Sequence, residues 1–332
     1  MDSSVGAWPR PFFLQILNFV AAEIEPPQTV LGEVYQHDSV LTEEVMAYLQ
    51  PQGGGIFLDV TLGGGGHSLA LLRGGAARVV GLDRDPAALQ AAQARFAAEG
   101  IPGSRIQLWH LNFADFDLQQ HGFRDEQGQG IPFDGIVADL GVSSPQLDCP
   151  ERGFSFRGEG PLDMRMDPSA AQETAADWVN HRPVEELIEI FTRYGEERFA
   201  RRIAHHIEQA RPLATTTQLA QVVWQAVPPA ARRGRIHPAT RVFQALRIAV
   251  NRELEALETL LAQAPTWLKP GGRLAVISFH SLEDRLVKWA FRRDPRWQVL
   301  TPRPLSPSEL ERQRNPRARS AKLRVAARSS QM

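Results

Sequence analysis

Two carboxylates and a run of glycines stand where this chain could do chemistry. Residues 57–68 read Phe-Leu-Asp-Val-Thr-Leu-Gly-Gly-Gly-Gly-His-Ser. An apolar run from Ile56 to Val60 enters the four glycines, and a helical pattern leaves them near His67. Glycines let the backbone turn sharply and let a ligand approach without meeting a Cβ. The next apolar run ends in Asp83, about 20 residues beyond Gly63, the spacing of an acid that binds ribose hydroxyls. Asp139 ends another apolar run and opens Leu-Gly-Val-Ser-Ser-Pro-Gln146, a segment able to face both cofactor and substrate. Asp139 could bind a cofactor or accept a proton there, and Gln146 and the turn backbone could hold ligand. A plain polar loop is the competing account of that segment.

The bound nucleoside is narrowed by what is missing. A dinucleotide turn wants a third small residue where helix meets strand, whereas Gly63-x-Gly65 is followed by Ser68, and no Gly-Lys-Ser/Thr is present to hold a triphosphate. S-adenosylmethionine carries no pyrophosphate and needs only a glycine turn, a ribose acid and a platform for adenine. A second candidate region is Ser278-Phe-His-Ser-Leu-Glu-Asp-Arg285. His280 there could line a substrate pocket, while Ser281 with Asp284 three residues on reads as a helix cap. Phe154, Phe156 and Arg157 could stack on an extruded base; their ordinary role would be to anchor a loop. No metal site is expected. The single cysteine, Cys149, excludes internal disulfides and suits a reducing, cytoplasmic setting.

These residues need a scaffold that brings strand ends together. Strands near 56–60, 78–83, 106–111 and 133–140 alternate with helices, one of them opened by the cap and proline of Asp85-Pro86. Alternation of this kind predicts a doubly wound parallel sheet with ligands at the strands' carboxyl ends. Thr61 to His67, Asp83, Asn112-Phe113 and Asp139 all fall at such ends. From about Leu147 the alternation stops, and helical patterns follow over Val184–Tyr194, Glu196–Gln209 and Thr217–Val227. A long helix from about Ala239 to Ala262 leads back to the sheet. Pro270-Gly-Gly makes a turn before a fifth strand, and Trp297–Leu300 with Leu323–Ala326 suggests a closing antiparallel pair. The fold class is therefore α/β, a Rossmann-like sheet carrying an inserted helical domain. The expected division is an extension over 1–34, a discontinuous sheet domain over 35–146 and 245–332, and a helical substrate-recognition insertion over 147–244.

The 332 residues are 43% hydrophobic and 23% charged, with a net charge of -1, so the molecule as a whole has no polyanion-binding sign. Charge is clustered instead. Arg312, Arg314, Arg317, Arg319, Lys322, Arg324 and Arg328 form a basic tail able to grip phosphates. Arg201, Arg202, Arg211, Arg232, Arg233, Arg235 and Arg241 suggest a basic face on the insertion, with pairing to Glu196, Glu197 and Glu208 as the competing account. Pro11 to Ala22 is apolar but too short to span a bilayer, which argues against a membrane role.

Longer motifs carry a resemblance. His37-Asp-Ser-Val-Leu, Thr61-Leu-Gly-Gly-Gly-Gly-His-Ser, Asp83-Arg-Asp-Pro, Asp139-Leu-Gly-Val-Ser-Ser-Pro-Gln-Leu, Glu151-Arg-Gly-Phe-Ser-Phe and Pro161-Leu-Asp-Met-Arg-Met-Asp resemble the MraW family, the small-subunit ribosomal RNA methyltransferase H family. So do His237-Pro-Ala-Thr-Arg, Phe243-Gln-Ala-Leu-Arg-Ile-Ala-Val-Asn-Arg-Glu-Leu, Ser278-Phe-His-Ser-Leu-Glu-Asp-Arg and Asn315-Pro-Arg-Ala-Arg-Ser-Ala-Lys-Leu-Arg. The resemblance implies S-adenosylmethionine-dependent methylation of the N4 amine of a cytidine in the decoding region of 16S rRNA, within the small ribosomal subunit. It implies cofactor contacts at Gly63, Gly65, Gly66, His67, Asp83, Phe113, Asp139 and Gln146. Asp139, or the backbone around Ser144 and Pro145, would accept the amine proton, and a homodimer is compatible with it. Two alternatives stand beside it: a methyltransferase with another acceptor, and a non-catalytic ribosome- or RNA-binding protein that keeps the fold.

Overall fold

The computed structural model describes residues 39–232, 234 and 236–330; the expected extension, 1–34, lies outside them. The described residues form strands β1 (Ile56–Asp59), β2 (Arg78–Asp83), β3 (Ile106–His110), β4 (Phe133–Asp139), β5 (Leu268–Ser278), β6 (Trp297–Val299) and β7 (Lys322–Arg328). They make one sheet in the order β3-β2-β1-β4-β5-β7-β6. Strands β1 to β5 pair in parallel, and β7 pairs antiparallel with both β5 and β6. This is the expected Rossmann-like α/β sheet with its closing antiparallel pair. The strand order reverses direction at β1 and β4, which opens a ligand crevice at their carboxyl ends.

Strand alternation explains how the sheet is buried on both faces. Phe57 packs with Val45, Leu71 and Val79, whereas its neighbour Leu58 joins Leu82, Ile136 and Leu260. Successive side chains of a strand point to opposite faces. Helices Thr42–Leu49 and Gly66–Arg73 supply apolar residues to the first cluster, and Glu253–Trp267 and Ser281–Arg293 to the second. A sheet covered on both faces needs continuous apolar strands, and β1 and β4 have them.

The residues from 154 to 250 build a third buried cluster of their own. Helices Ala175–His181, Val184–Arg193, Ala200–Ala210, Thr216–Ala226 and Ala239–Asn251 form it. Leu187, Ile190 and Phe191 recur at helical spacing along one of these faces, as do Ile203, Ala204 and Ile207 along the next. Two starts are fixed by capping boxes, Thr174 with Asp177 and Thr215 with Gln218. Val142, Leu147, Leu254 and Leu282, which flank the sheet, pack against this cluster.

Several local expectations are corrected. The long helix expected over Ala239 to Ala262 breaks at Arg252, whose φ of 51° ends Ala239–Asn251 before Glu253–Trp267 begins. The first helix, Thr42–Leu49, has Leu41 at its cap position, and the Thr42 hydroxyl donates to the Ser39 carbonyl at 2.7 Å. Pro270-Gly-Gly lies inside β5, where the pairing with β4 shifts register. The basic tail is not a free end. Its last part is β7, where Lys322 and Arg324 both pair with Asp284, and Arg317 pairs with Asp148.

Candidate active site at the carboxyl edge of the sheet

The glycine turn follows β1 and is held from β2. The Leu62 N–H donates to the Leu82 carbonyl, and the Gly63 N–H donates to Asp83 Oδ2 at 2.8 Å. Gly63 and Gly65 have φ of 50° and 75°, a region that favours glycine. A Cβ at Gly65 would stand 2.7 Å from the Phe96 ring of helix Pro86–Ala98, so that glycine also lets the turn seat against its neighbour. A Cβ at Gly64 would meet no described atom within 4 Å, so the turn faces open space there.

Among the described residues Asp83 accepts only backbone N–H groups, Gly63 on one oxygen and Asp85 on the other, both at 2.8 Å. Burial pushes its carboxyl up to about 6 against those two bonds, which favour the charged form. Each oxygen keeps a lone pair for an incoming hydroxyl.

Beside it, Asp59 and Asp139 from two strand ends meet His67 from the helix that follows the turn. His67 heads helix Gly66–Arg73, and its Nε2 lies 3.4 Å from Asp139 Oδ2 at the end of β4. Neither His67 ring nitrogen nor Asp139 Oδ1 has a hydrogen-bond partner among the described residues, although these atoms are buried. Burial disfavours the His67 cation, yet the Asp139 and Asp59 carboxylates outweigh it and hold the imidazole above its ordinary value. Asp59, at the end of β1, accepts from the Ser68 hydroxyl at 2.8 Å, and burial raises its carboxyl despite His67 and Ser68. The Asp139 N–H donates to the Thr61 hydroxyl at 2.6 Å, which ties β4 to the glycine turn. Buried polar atoms without partners are costly, and here they border the open turn. An S-adenosyl nucleoside fits the set: Asp83 for ribose, a turn open at Gly64, and unpartnered polar atoms beside it.

A connection absent from the expectations supports this edge. Asp85 caps helix Pro86–Ala98, as its sequence suggests, and its Oδ2 also accepts from Gln146 Nε2 at 2.9 Å and pairs with Arg152 Nη1 at 2.7 Å. Arg152 further donates to the carbonyls of Arg165 and Met166. Asn251, fully buried, grips the same loop by accepting from the Met166 N–H and donating to the Met164 carbonyl. The loop over 163–167 is thereby fastened to the residue two places beyond the ribose acid. A lone Asp-Pro pair signals the cap, but nothing in it signals a partner 67 residues away.

The remaining candidates are distributed as follows. Phe113 begins a short turn capped by Asn112 at the end of β3, on the same edge. Ser144 and Pro145 lie in helix Ser144–Asp148, where the Pro145 carbonyl already accepts from the Cys149 N–H. Phe154 is buried in the helical cluster, and Phe156 packs against His237 and Phe243. Arg157 is exposed beside them. His280 caps helix Ser281–Arg293 together with Glu283, a role expected of Ser281. Glu253, His280 and Glu283 approach one another closely enough to suggest a cation site. Both Glu253 oxygens, however, are held by Arg247 at 2.8 Å. Burial pushes Glu283 up, but His280 and Arg247 outweigh it and keep it below the usual carboxylate range. Arg247 thus already fills the place a cation would take against Glu253.

Residues 34–329 match the model of the MraW methylase family. The chain is 99% identical over 319 residues to "Ribosomal RNA small subunit methyltransferase H" of Synechococcus sp. (strain JA-2-3B'a(2-13)), covering 96% of this chain and 100% of that protein. It is 58% identical over 294 residues to the protein of the same name from Gloeobacter violaceus, covering 89% of this chain and 88% of the relative.

Proposed function

This chain belongs to the MraW methylase family, and we propose that it methylates the exocyclic N4 of a cytidine in the decoding region of 16S rRNA. It is an S-adenosylmethionine-dependent ribosomal RNA methyltransferase. The observation that carries the proposal is Asp139, partly exposed but with a buried Oδ1 that no described residue engages, beside His67 and the glycine turn. When bound, S-adenosylmethionine supplies an electrophilic methyl group.

The protein's own part follows from the substrate. The N4 lone pair of cytosine is delocalised into the ring, so attack needs tight alignment and an acceptor for the amine proton. Asp139 is that acceptor in our account, and His67 beside it stabilises the carboxylate before the proton arrives. The Pro145 carbonyl is committed to its helix, which favours Asp139 over the Ser144–Pro145 backbone. Asp83 orients the ribose, and Gly63, Gly65, Gly66 and Phe113 shape the rest of the cofactor pocket. Gln146 acts through the Asp85 contact that fixes its loop. We assign substrate recognition to the helical segment over 147–244 and the reaction to the cytoplasm. No helix among the described residues is long and apolar enough to cross a membrane.

The test is to incubate the protein with methyl-labelled S-adenosylmethionine and undermodified small subunits, then digest the RNA to nucleosides. Label in N4-methylated cytidine is expected. Label confined to another nucleoside, or no label while cofactor binding is measurable, overturns the proposal.

A further inference from the structure

A groove of about 350 Å³ opens on the helical layer, away from the glycine turn, lined in part by Arg198, Phe199, Ile236, His237 and Arg241. Its exposed charges are basic, Arg198 and Arg241, and its one lining acid, Glu197, is buried. Arg198 lies over the Phe199 ring, and Arg241 donates to the backbone carbonyl of Glu196. Arg232, close by, donates to the carbonyls of Val227 and Gln225 and lies over the Trp224 ring. None of the three is in an ion pair with a carboxylate among the described residues. Two acids lie nearby: Glu196 is bound by Ser281 and Arg285 and also feels the Arg241 charge, and the buried Glu197, which lines the groove, accepts from the Phe199 N–H. A second groove, lined by Arg193, Tyr194, Glu255, Glu258 and Arg285, mixes both signs and offers a polyanion nothing comparable.

The same face carries apolar and aromatic surface in the open. Ile236 is 61% exposed and Trp224 36%. Trp224 stacks on His237 at 5.3 Å, and His237 meets Phe156, which meets Phe243. Burial lowers the His237 pKa, so this ring column is uncharged at neutral pH. Guanidinium groups without acid partners beside exposed rings form the surface that single strands use, with phosphates on the cations and bases on apolar faces.

We propose that this groove docks a single-stranded stretch of ribosomal RNA flanking the methylated nucleotide, with Arg198 and Arg241 on phosphates and Ile236 and the Trp224–His237 rings against bases. The inference rests on the ribosomal RNA assignment above.

The probe is a fluorescent single-stranded oligoribonucleotide of about 12 nucleotides, within the length range of single-strand sites, with a duplex of equal length beside it. Binding is measured across a salt series for the full chain and for Arg198→Gln/Arg241→Gln. Loss of two phosphate contacts should lower the slope of log K against log salt by about 1.4, or about 25-fold in affinity over a tenfold dilution of salt. Ile236→Ser should weaken binding several-fold without changing the slope. Cofactor affinity should not change in either variant, which controls for folding, and Arg198→Lys/Arg241→Lys should keep the wild-type slope. An unchanged slope and affinity in the glutamine variant, or equal binding of the duplex, overturns the proposal. The nucleoside assay run in parallel separates the two claims. N4 labelling with an unchanged slope removes the groove alone, and a groove-dependent slope with label elsewhere removes only the acceptor assignment.

Discussion

The sheet's carboxyl edge and the helical layer solve recognition in opposite ways. At the edge, buried polar atoms find no hydrogen-bond partner among the described residues, Asp139 Oδ1 and both His67 ring nitrogens, and Asp83 beside them accepts two backbone N–H groups. On the helical layer, charge is exposed, and Arg198 and Arg232 lie over rings with no ion pair among the described residues. A small cofactor can satisfy a buried set of fixed geometry, and burial makes each contact strong. A flexible polyanion is better met by exposed cations, whose attraction is long-ranged and screened by salt. The edge should therefore respond to pH and the layer to salt.

The link between the regions is the place to break that comparison most severely. Arg152 is mostly buried and joins Asp85 to the loop over 163–167. Arg152→Ala leaves the Asp85 carboxylate buried without its cation, and such losses cost about 3 kcal/mol or more. Thermal unfolding should show that loss, and cofactor affinity should fall with it because Asp85 donates its N–H to Asp83. A variant of unchanged stability would mean that the regions stand independently.

The pH response isolates the edge. Asp83 must be ionised to accept ribose hydroxyls, and burial lifts its carboxyl to about 6. Cofactor affinity should be flat above that pH and fall below it, approaching about tenfold per unit. Stability moves the other way for this group. Its folded pKa exceeds the unfolded one, so it adds stability as pH drops from about 6 towards 4. Calorimetric titration of cofactor across pH, beside melting curves of the free protein, checks both signs.

Salt isolates the layer. RNA affinity should fall with a slope of about 0.7 per phosphate contact, while cofactor affinity stays nearly constant. Parallel slopes for the two ligands would erase the distinction. The smallest expected effect is local: Thr174→Ala removes one capping box of the helical layer and should cost about 1 kcal/mol. Unfolding curves would record it, with cofactor affinity unchanged.

What was legible in the sequence follows the same division. The glycine turn, Asp83 and the Asp85-Pro86 cap are local patterns, and each forms where the residues suggest. The antiparallel pair of β6 and β7 was also readable, as two short apolar runs at the end of the chain. The Asp85–Arg152 pair was not, because its partners are far apart in sequence and neither residue type is unusual in a loop. The break at Arg252 was hidden for another reason: a left-handed arginine follows an unbroken helical pattern, and no glycine marks it. The tail's basic residues read as a grip for phosphates, yet Arg317 is paired with Asp148, and Lys322 and Arg324 with Asp284 where β7 joins the sheet. Counting charges along a chain cannot show which of them will find carboxylates.

The most direct test of the account is single-turnover methyl transfer by Asp139→Asn at saturating cofactor and RNA. Removing a positioned proton acceptor should slow the step by about 10²- to 10⁴-fold, while both ligands still bind and the fold stays intact. A wild-type rate in that variant would contradict the assignment of Asp139 and send the search for the acceptor elsewhere on the same edge.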